Sequence, residues 1–132
     1  MKPHTLVFVL ATIVCLASSQ AADLTIHLAG DASFSRQSVR VECDANGVKM
    51  GLPSGAFSVE YINGGGNSLA VVPVSGNSLI FANVIAGSGA RYAARQYVWW
   101  DAAGRVITFS SDSLGGKMQS LCHRVKTPSE TH

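Results

Sequence analysis

AGSGARYAARQYVWWDAAGRVITF, residues 86–109, is the stretch from which the rest of the chain is read. It opens with a small-residue loop, Gly87-Ser88-Gly89-Ala90, which sets one hydroxyl between two glycines, and Arg91 and Tyr92 follow at once. Tyr97-Val98-Trp99-Trp100 has the aromatic and β-branched content of a strand. Asp101-Ala102-Ala103-Gly104 is a tight turn, and Arg105 to Phe109 alternates apolar and polar residues as a second strand does. The stretch predicts a β-hairpin carrying both tryptophans, preceded by a flexible loop that presents Ser88 outward.

Upstream, the same alternation recurs. Leu24, Ile26 and Leu28 alternate with Thr25 and His27, which suggests a first strand, and Gly30 to Gln37 is polar and turn-rich. Val39, Val41 and Cys43 alternate with Arg40 and Glu42, and Asp44-Ala45-Asn46-Gly47 then offers the Asn-Gly signal of a hairpin turn. Val48, Met50 and Leu52 carry the alternation on to Pro53. Phe57, Val59 and Tyr61 share one face before a glycine turn at Asn63 to Asn67. Leu69 to Val72 is apolar, and Pro73 marks its end or an edge. Ser75 to Ser78 turns the chain into Leu79-Ile80-Phe81, and Val84-Ile85 leads to the Ser88 loop. Beyond the hairpin come a loose loop at Ser110 to Gly116, a closing segment at Met118 to Val125, and a polar tail from Lys126. Only Ala90 to Gln96 offers any helical period, and that weakly. Short strands at roughly eight- to twelve-residue spacing predict an all-β fold, a sandwich or a small antiparallel barrel. A barrel of about eight strands is favoured, since closure removes exposed edges.

The chain has 132 residues, enough for one domain. Leu6 to Leu16 is an apolar run with Lys2 before it and Ser18-Ser19-Gln20-Ala21 after it, the layout of an export signal. The run is shorter than the roughly 20 residues that cross a membrane. The expected division is therefore 1–21 as signal peptide and 22–132 as the mature domain, soluble in the periplasm. Cys15 is a poor lipid-attachment site because Thr12 and Val14 stand where a leucine-like and a small residue are wanted. Cys43 and Cys122 remain, and an even count in an oxidising compartment predicts one disulfide. It would close a loop of about 80 residues and stabilise by roughly 4 kcal/mol in the chain-entropy model.

A formal charge of +2, or +1 once Lys2 is removed, argues against nucleic-acid binding. Charged residues are 14% and hydrophobic ones 47%, so the chain can fill a core. No enzyme signature is present. Ser88 lacks the Gly-x-Ser-x-Gly elbow, and the Gly64 to Gly66 run opens no helix that could cradle a phosphate. Cys43, Cys122 and His123 lack metal-ligand spacing, and no cofactor is expected. Asp101 and Asp112 could pair as glycosidase acids, though scattered surface carboxylates are the commoner case.

Ser88-Gly89-Ala90-Arg91-Tyr92 followed by Tyr97-Val98-Trp99-Trp100 resembles the bacterial inhibitors of c-type lysozyme, in membrane-bound (MliC) and periplasmic (PliC) classes. The likeness takes in Tyr61, Asn67 to Ala70, Phe81 to Ile85 and the flanking Cys43 and Cys122, most of residues 39–122. The soluble periplasmic class is the expected one. The resemblance implies a barrel whose loops plug the cleft of a host lysozyme, with Ser88 reaching the catalytic carboxylates and Gly89, Ala90, Arg91, Tyr92, Ala102 and Arg105 around it. It also leaves a homodimer open. One departure stands out: the family's Lys-Gly after the tryptophan is Ala102-Ala103 here. Loss of the lysine contact would cost about 1.5–3 kcal/mol, unless Arg105 or Arg91 supplies the charge. The alternative from another class is a small-ligand carrier barrel of lipocalin or avidin type, which requires an apolar cavity.

Overall fold

The computed structural model describes Pro3, residues 21–112 and residues 117–126. The expected leader lies largely outside them, as do the polar tail past Lys126 and the centre of the Ser110 to Gly116 loop. Among the described residues eight strands run in chain order, β1 (Phe34–Cys43), β2 (Ala56–Gly64), β3 (Asn67–Val74), β4 (Asn77–Val84), β5 (Ala90–Ala94), β6 (Tyr97–Asp101), β7 (Ile107–Ser111) and β8 (Met118–Arg124), with one helix, α1 (Ala45–Lys49), between β1 and β2. Each strand pairs with the next, and β1 with β8, so the sheet closes as an antiparallel barrel. The closing ladder is short: Val41 faces Arg124, Glu42 faces His123, and Cys43 faces Cys122. The Cys43–Cys122 disulfide fastens that seam.

Alternation along each strand fills the interior. Trp99, Phe81, Phe109, Ile107, Val41, Val59 and Val72 are fully buried, and each such side chain contributes roughly 1.5–3 kcal/mol by leaving water. The expected face of Phe57, Val59 and Tyr61 is buried as read. Trp99 points in and its neighbour Trp100 points out, as a period of two demands.

Five local expectations are corrected. Leu24 to Leu28 forms no strand, and Leu24 and Ile26 stay 68% and 63% exposed. Alternation makes a strand only where a neighbour offers its backbone, and the barrel closes through β8 without this segment. The polar stretch at Gly30 to Gln37 is in part strand, since β1 begins at Phe34. Asp44 to Gly47 is no hairpin turn: the Asp44 carboxylate accepts from the backbone N–H of Asn46 and Gly47 and caps α1. Gly47 is needed there for space, since an added Cβ would lie 2.7 Å from Ser120 Oγ and 2.9 Å from Cys43 Cβ. Val48 to Leu52 is accordingly helix and turn, with Met50 and Leu52 folded into the core. Ala90 to Gln96 is not helical but strand β5 and a two-residue turn into β6.

Pro73 lies within β3, paired with Ser78 on β4. The β2–β3 ladder ends at Val71, so no partner on that side wants the missing N–H. Because every neighbouring pair is antiparallel, connections alternate between the two ends of the barrel. The β2–β3, β4–β5 and β6–β7 links share one end with the close of β8; α1 and the β3–β4, β5–β6 and β7–β8 links share the other.

Candidate functional site

Topology thus brings the Ser88 loop, between β4 and β5, beside the Ala102 to Val106 loop, between β6 and β7. Two strands separated by only one hairpin carry them: Ala90 of β5 pairs with Asp101 of β6, and Arg91 with Trp100. Ser88 is exposed at the rim, as are Gly87 and Gly89.

The loop is held from both sides of β6. On the outside, the Trp100 indole Nε1–H donates to the Ser88 carbonyl oxygen at 2.9 Å. On the rim, Gly89 packs against the β6–β7 turn, where an added Cβ would lie 2.2 Å from the Asp101 carbonyl oxygen and 2.8 Å from Ala102 Cα. Its φ of +67° is also one that side-chain-bearing residues rarely adopt. Gly87 differs: a Cβ there meets nothing within 4 Å. The expectation of two permissive glycines therefore separates into one required glycine and one open position.

The neighbouring turn is self-contained. Ala103 N–H donates to the Asp101 carbonyl at 3.0 Å and Arg105 N–H to the Ala102 carbonyl at 3.2 Å. Ala103 has φ +47°, followed by Gly104 at +79°. Ala102 is half-buried and Arg105 is exposed at the tip. Arg91 sits half-buried on the outer face beside Trp100, in a shallow groove shared with Val98, Thr108 and Gln119. It therefore lies around the side of the barrel, whereas Arg105 lies on its end.

Tyr92 is buried, with 4% of its surface exposed, and its ring lies 5.7 Å from that of Tyr61. Its hydroxyl is 3.4 Å from Ser68 Oγ. The ring therefore packs inside the barrel against β2 and β3. Around it the barrel interior turns polar: Gln37, Tyr61, Asn63, Asp101 and Arg124 join Tyr92 and Val39 about a cavity of about 210 Å³ at the mouth.

Sequence reasoning gave Asp101, Arg124 and Tyr61 no part in this end of the barrel. Asp101, read as a turn residue, is the last residue of β6 and largely buried. Its Oδ2 accepts from the Arg124 guanidinium and from the Tyr61 hydroxyl, and Tyr61 in turn accepts from Trp99 Nε1–H at 2.9 Å. Burial above all pushes the Tyr61 phenol up to about 12, with the Asp101 charge adding to the rise and the Trp99 hydrogen bond opposing it. The carboxylate thus anchors the end of β6 and is not the glycosidase acid weighed from sequence. A polar residue on the inward phase of an apolar strand was the available signal.

Among the described residues no group of three or more His, Cys, Asp or Glu side chains could hold a metal. The site offers an exposed serine, an exposed arginine and a braced backbone, a constellation for docking against another molecule.

Comparison with known proteins gives the same direction. The family described as membrane-bound lysozyme-inhibitor of c-type lysozyme matches residues 53–116. A membrane-bound lysozyme inhibitor of C-type lysozyme from Pseudomonas aeruginosa is 50% identical over 93 residues, 70% of this chain and 66% of that protein. A protein of the same description from Cupriavidus necator is 33% identical over 64 residues, 48% of this chain and 45% of that protein. The matched stretches thus span just under two thirds and under half of those relatives. Among solved structures, Pseudomonas aeruginosa MliC in complex with hen egg white lysozyme superposes with a TM-score of 0.62 at 38% identity, covering 80% of this chain and 99% of that one.

Proposed function

Because the chain belongs to the family of membrane-bound lysozyme inhibitors of c-type lysozyme, we propose that it inhibits a c-type lysozyme by setting the Ser88 loop and the β6–β7 turn into the enzyme's cleft. The observation that carries this reading is an exposed serine, on a loop braced by β6, at the end of a barrel whose solved relative was crystallised with lysozyme. Such an enzyme works with a glutamic acid and an aspartate in a cleft. A hydroxyl donating to an ionised carboxylate makes a charge-assisted hydrogen bond, stronger than a neutral one. No bond is made or broken. Inhibition is occlusion, and its benefit is intact peptidoglycan.

Ala102 contributes no charge where the family carries a lysine, so Arg105, exposed on the same turn, supplies the cation, with Arg91 further around the side. Gly89, Ala90 and Tyr92 shape the loop more than they touch the enzyme. The carrier alternative is set aside because the barrel core is filled with side chains and the mouth cavity is lined mainly by polar groups.

The protein is proposed to be exported, cleaved after Ala21 and soluble in the periplasm, even though its relatives are described as membrane-bound. Thr12 and Val14 argue against acylation at Cys15. A mature mass beginning at Ala22 supports this; an acylated Cys15 contradicts it.

Lysis of cell-wall suspensions by c-type lysozyme, with and without the mature protein, tests the activity. Ser88→Ala is expected to raise the inhibition constant about 10- to 100-fold, the worth of a hydrogen bond to a charged group. Arg105→Ala should also weaken inhibition. An unchanged constant for both Arg105→Ala and Arg91→Ala would end the idea that an arginine replaces the lysine.

A further inference from the structure

Trp100 is 36% exposed on the outer face of the barrel. Its polar atom is already engaged: Nε1–H donates to the backbone carbonyl of Ser88, twelve residues earlier. That carbonyl belongs to exposed Ser88 itself, so the bond fixes the peptide next to the side chain the inhibitory reading uses. The stretch around it has little else to hold it. Ile85 is 95% exposed, a Cβ added at Gly87 would meet nothing within 4 Å, and the chain is in neither strand nor helix from Ile85 to Gly89. Among the described residues, Gly89, against Asp101 and Ala102, gives a second point of attachment.

We propose that Trp100 is a positioning residue for Ser88: its indole N–H, with the Gly89 contact, pre-sets the loop in the shape that enters the enzyme. This rests on the inhibitory reading above. Trp100 acts through Ser88 and is not itself the contact. An open five-residue loop would otherwise lose conformational freedom on docking, and ordering it in advance removes that cost from the binding step. The β6 strand supplies a firm base, because Trp99 beside it is fully buried and bonded to Tyr61, and Asp101 after it is tied to Arg124.

The test is a double-mutant cycle on the full mature protein, read as affinity for hen egg white lysozyme. Variants are Trp100→Phe, Ser88→Ala and the pair, with Trp100 also replaced by its benzothienyl analogue, which keeps the ring shape and lacks the N–H. Losing the N–H should weaken binding about five- to tenfold in the parent, the range of one neutral hydrogen bond, and less than about twofold in the Ser88→Ala background. In the free protein, amide order parameters at Ser88 and Gly89 should fall from roughly 0.85 toward 0.6, while the melting temperature holds. Unchanged affinity and unchanged loop order overturn the proposal. Equal losses in both backgrounds also overturn it, since Trp100 would then touch the enzyme directly. If the parent itself fails to bind lysozyme, the inhibitory reading falls, and the order parameters alone still decide whether Trp100 holds the loop.

Discussion

At the scale of single residues, two positions at the site stand in opposite relation to their backbone. Gly89 occupies a left-handed conformation against a wall of backbone atoms, with no room for a methyl group. Ala103 occupies a left-handed conformation with a methyl group it would be better without. The latter is where the resembling family carries the glycine of its Lys-Gly pair, so the torsion gives a physical reason for that preference. Gly89→Ala is expected to destabilise by about 2 kcal/mol or more, through strain and overlap with Asp101 and Ala102. Ala103→Gly should stabilise by roughly 0.5–1 kcal/mol, as relief of the left-handed strain outweighs the added chain freedom. Chemical denaturation of the two variants checks both signs; a harmless Gly89→Ala would mean that the loop does not rest on β6.

Among the elements, α1 shows how one side chain fixes a junction. Asp44 caps the helix, and its carboxylate also accepts from Leu121 N–H at 3.0 Å and Ser120 Oγ at 2.8 Å, joining the β1–α1 corner to β8. The hydrogen bonds from Leu121 and then Ser120 chiefly hold its carboxyl below the ordinary carboxylate range. A depressed carboxylate contributes stability above its unfolded pKa and loses it as pH falls through the folded value. Asp44→Ala should therefore cost about 1 kcal/mol at neutral pH, as a lost cap does, and the gap from the parent should close as the pH drops below about 4. A pH-independent gap would contradict this. The same corner shows where sequence reading stopped. An aspartate two residues before Asn-Gly fits both a hairpin and a capped helix, and the contacts that decide come from β8, 76 residues away. Period-two alternation revealed β1, β2 and β7 because each has one buried face. It overcalled Leu24 to Leu28, which lacks a partner, and missed β5, whose alanines carry no alternation and whose turn, Arg95-Gln96, has no glycine although Arg95 takes φ +55°. At the site, the exposed Ser88 was legible from its glycines. The Trp100 bond and the Asp101–Arg124–Tyr61 anchor were not, because each joins distant strands whose adjacency only the closed barrel creates.

For the whole molecule, closure separates two jobs between two ends. The α1 corner, tied to β8 by Asp44, closes the far end of the barrel, the short β1–β8 ladder and its disulfide seal the side, and the core of aromatic and branched side chains fills its middle. The Ser88 loop and the Arg105 turn stand at the opposite end, on strands that the core keeps rigid. That division is the central claim, and a backbone NMR titration of the mature protein with a c-type lysozyme tests it most directly. Resonances of Gly87 to Arg91 and of Ala102 to Arg105 are expected to shift or broaden, while those of Asp44 to Leu52 stay in place. Shifts gathered around Asp44 to Leu52, with the Ser88 loop untouched, would contradict the account.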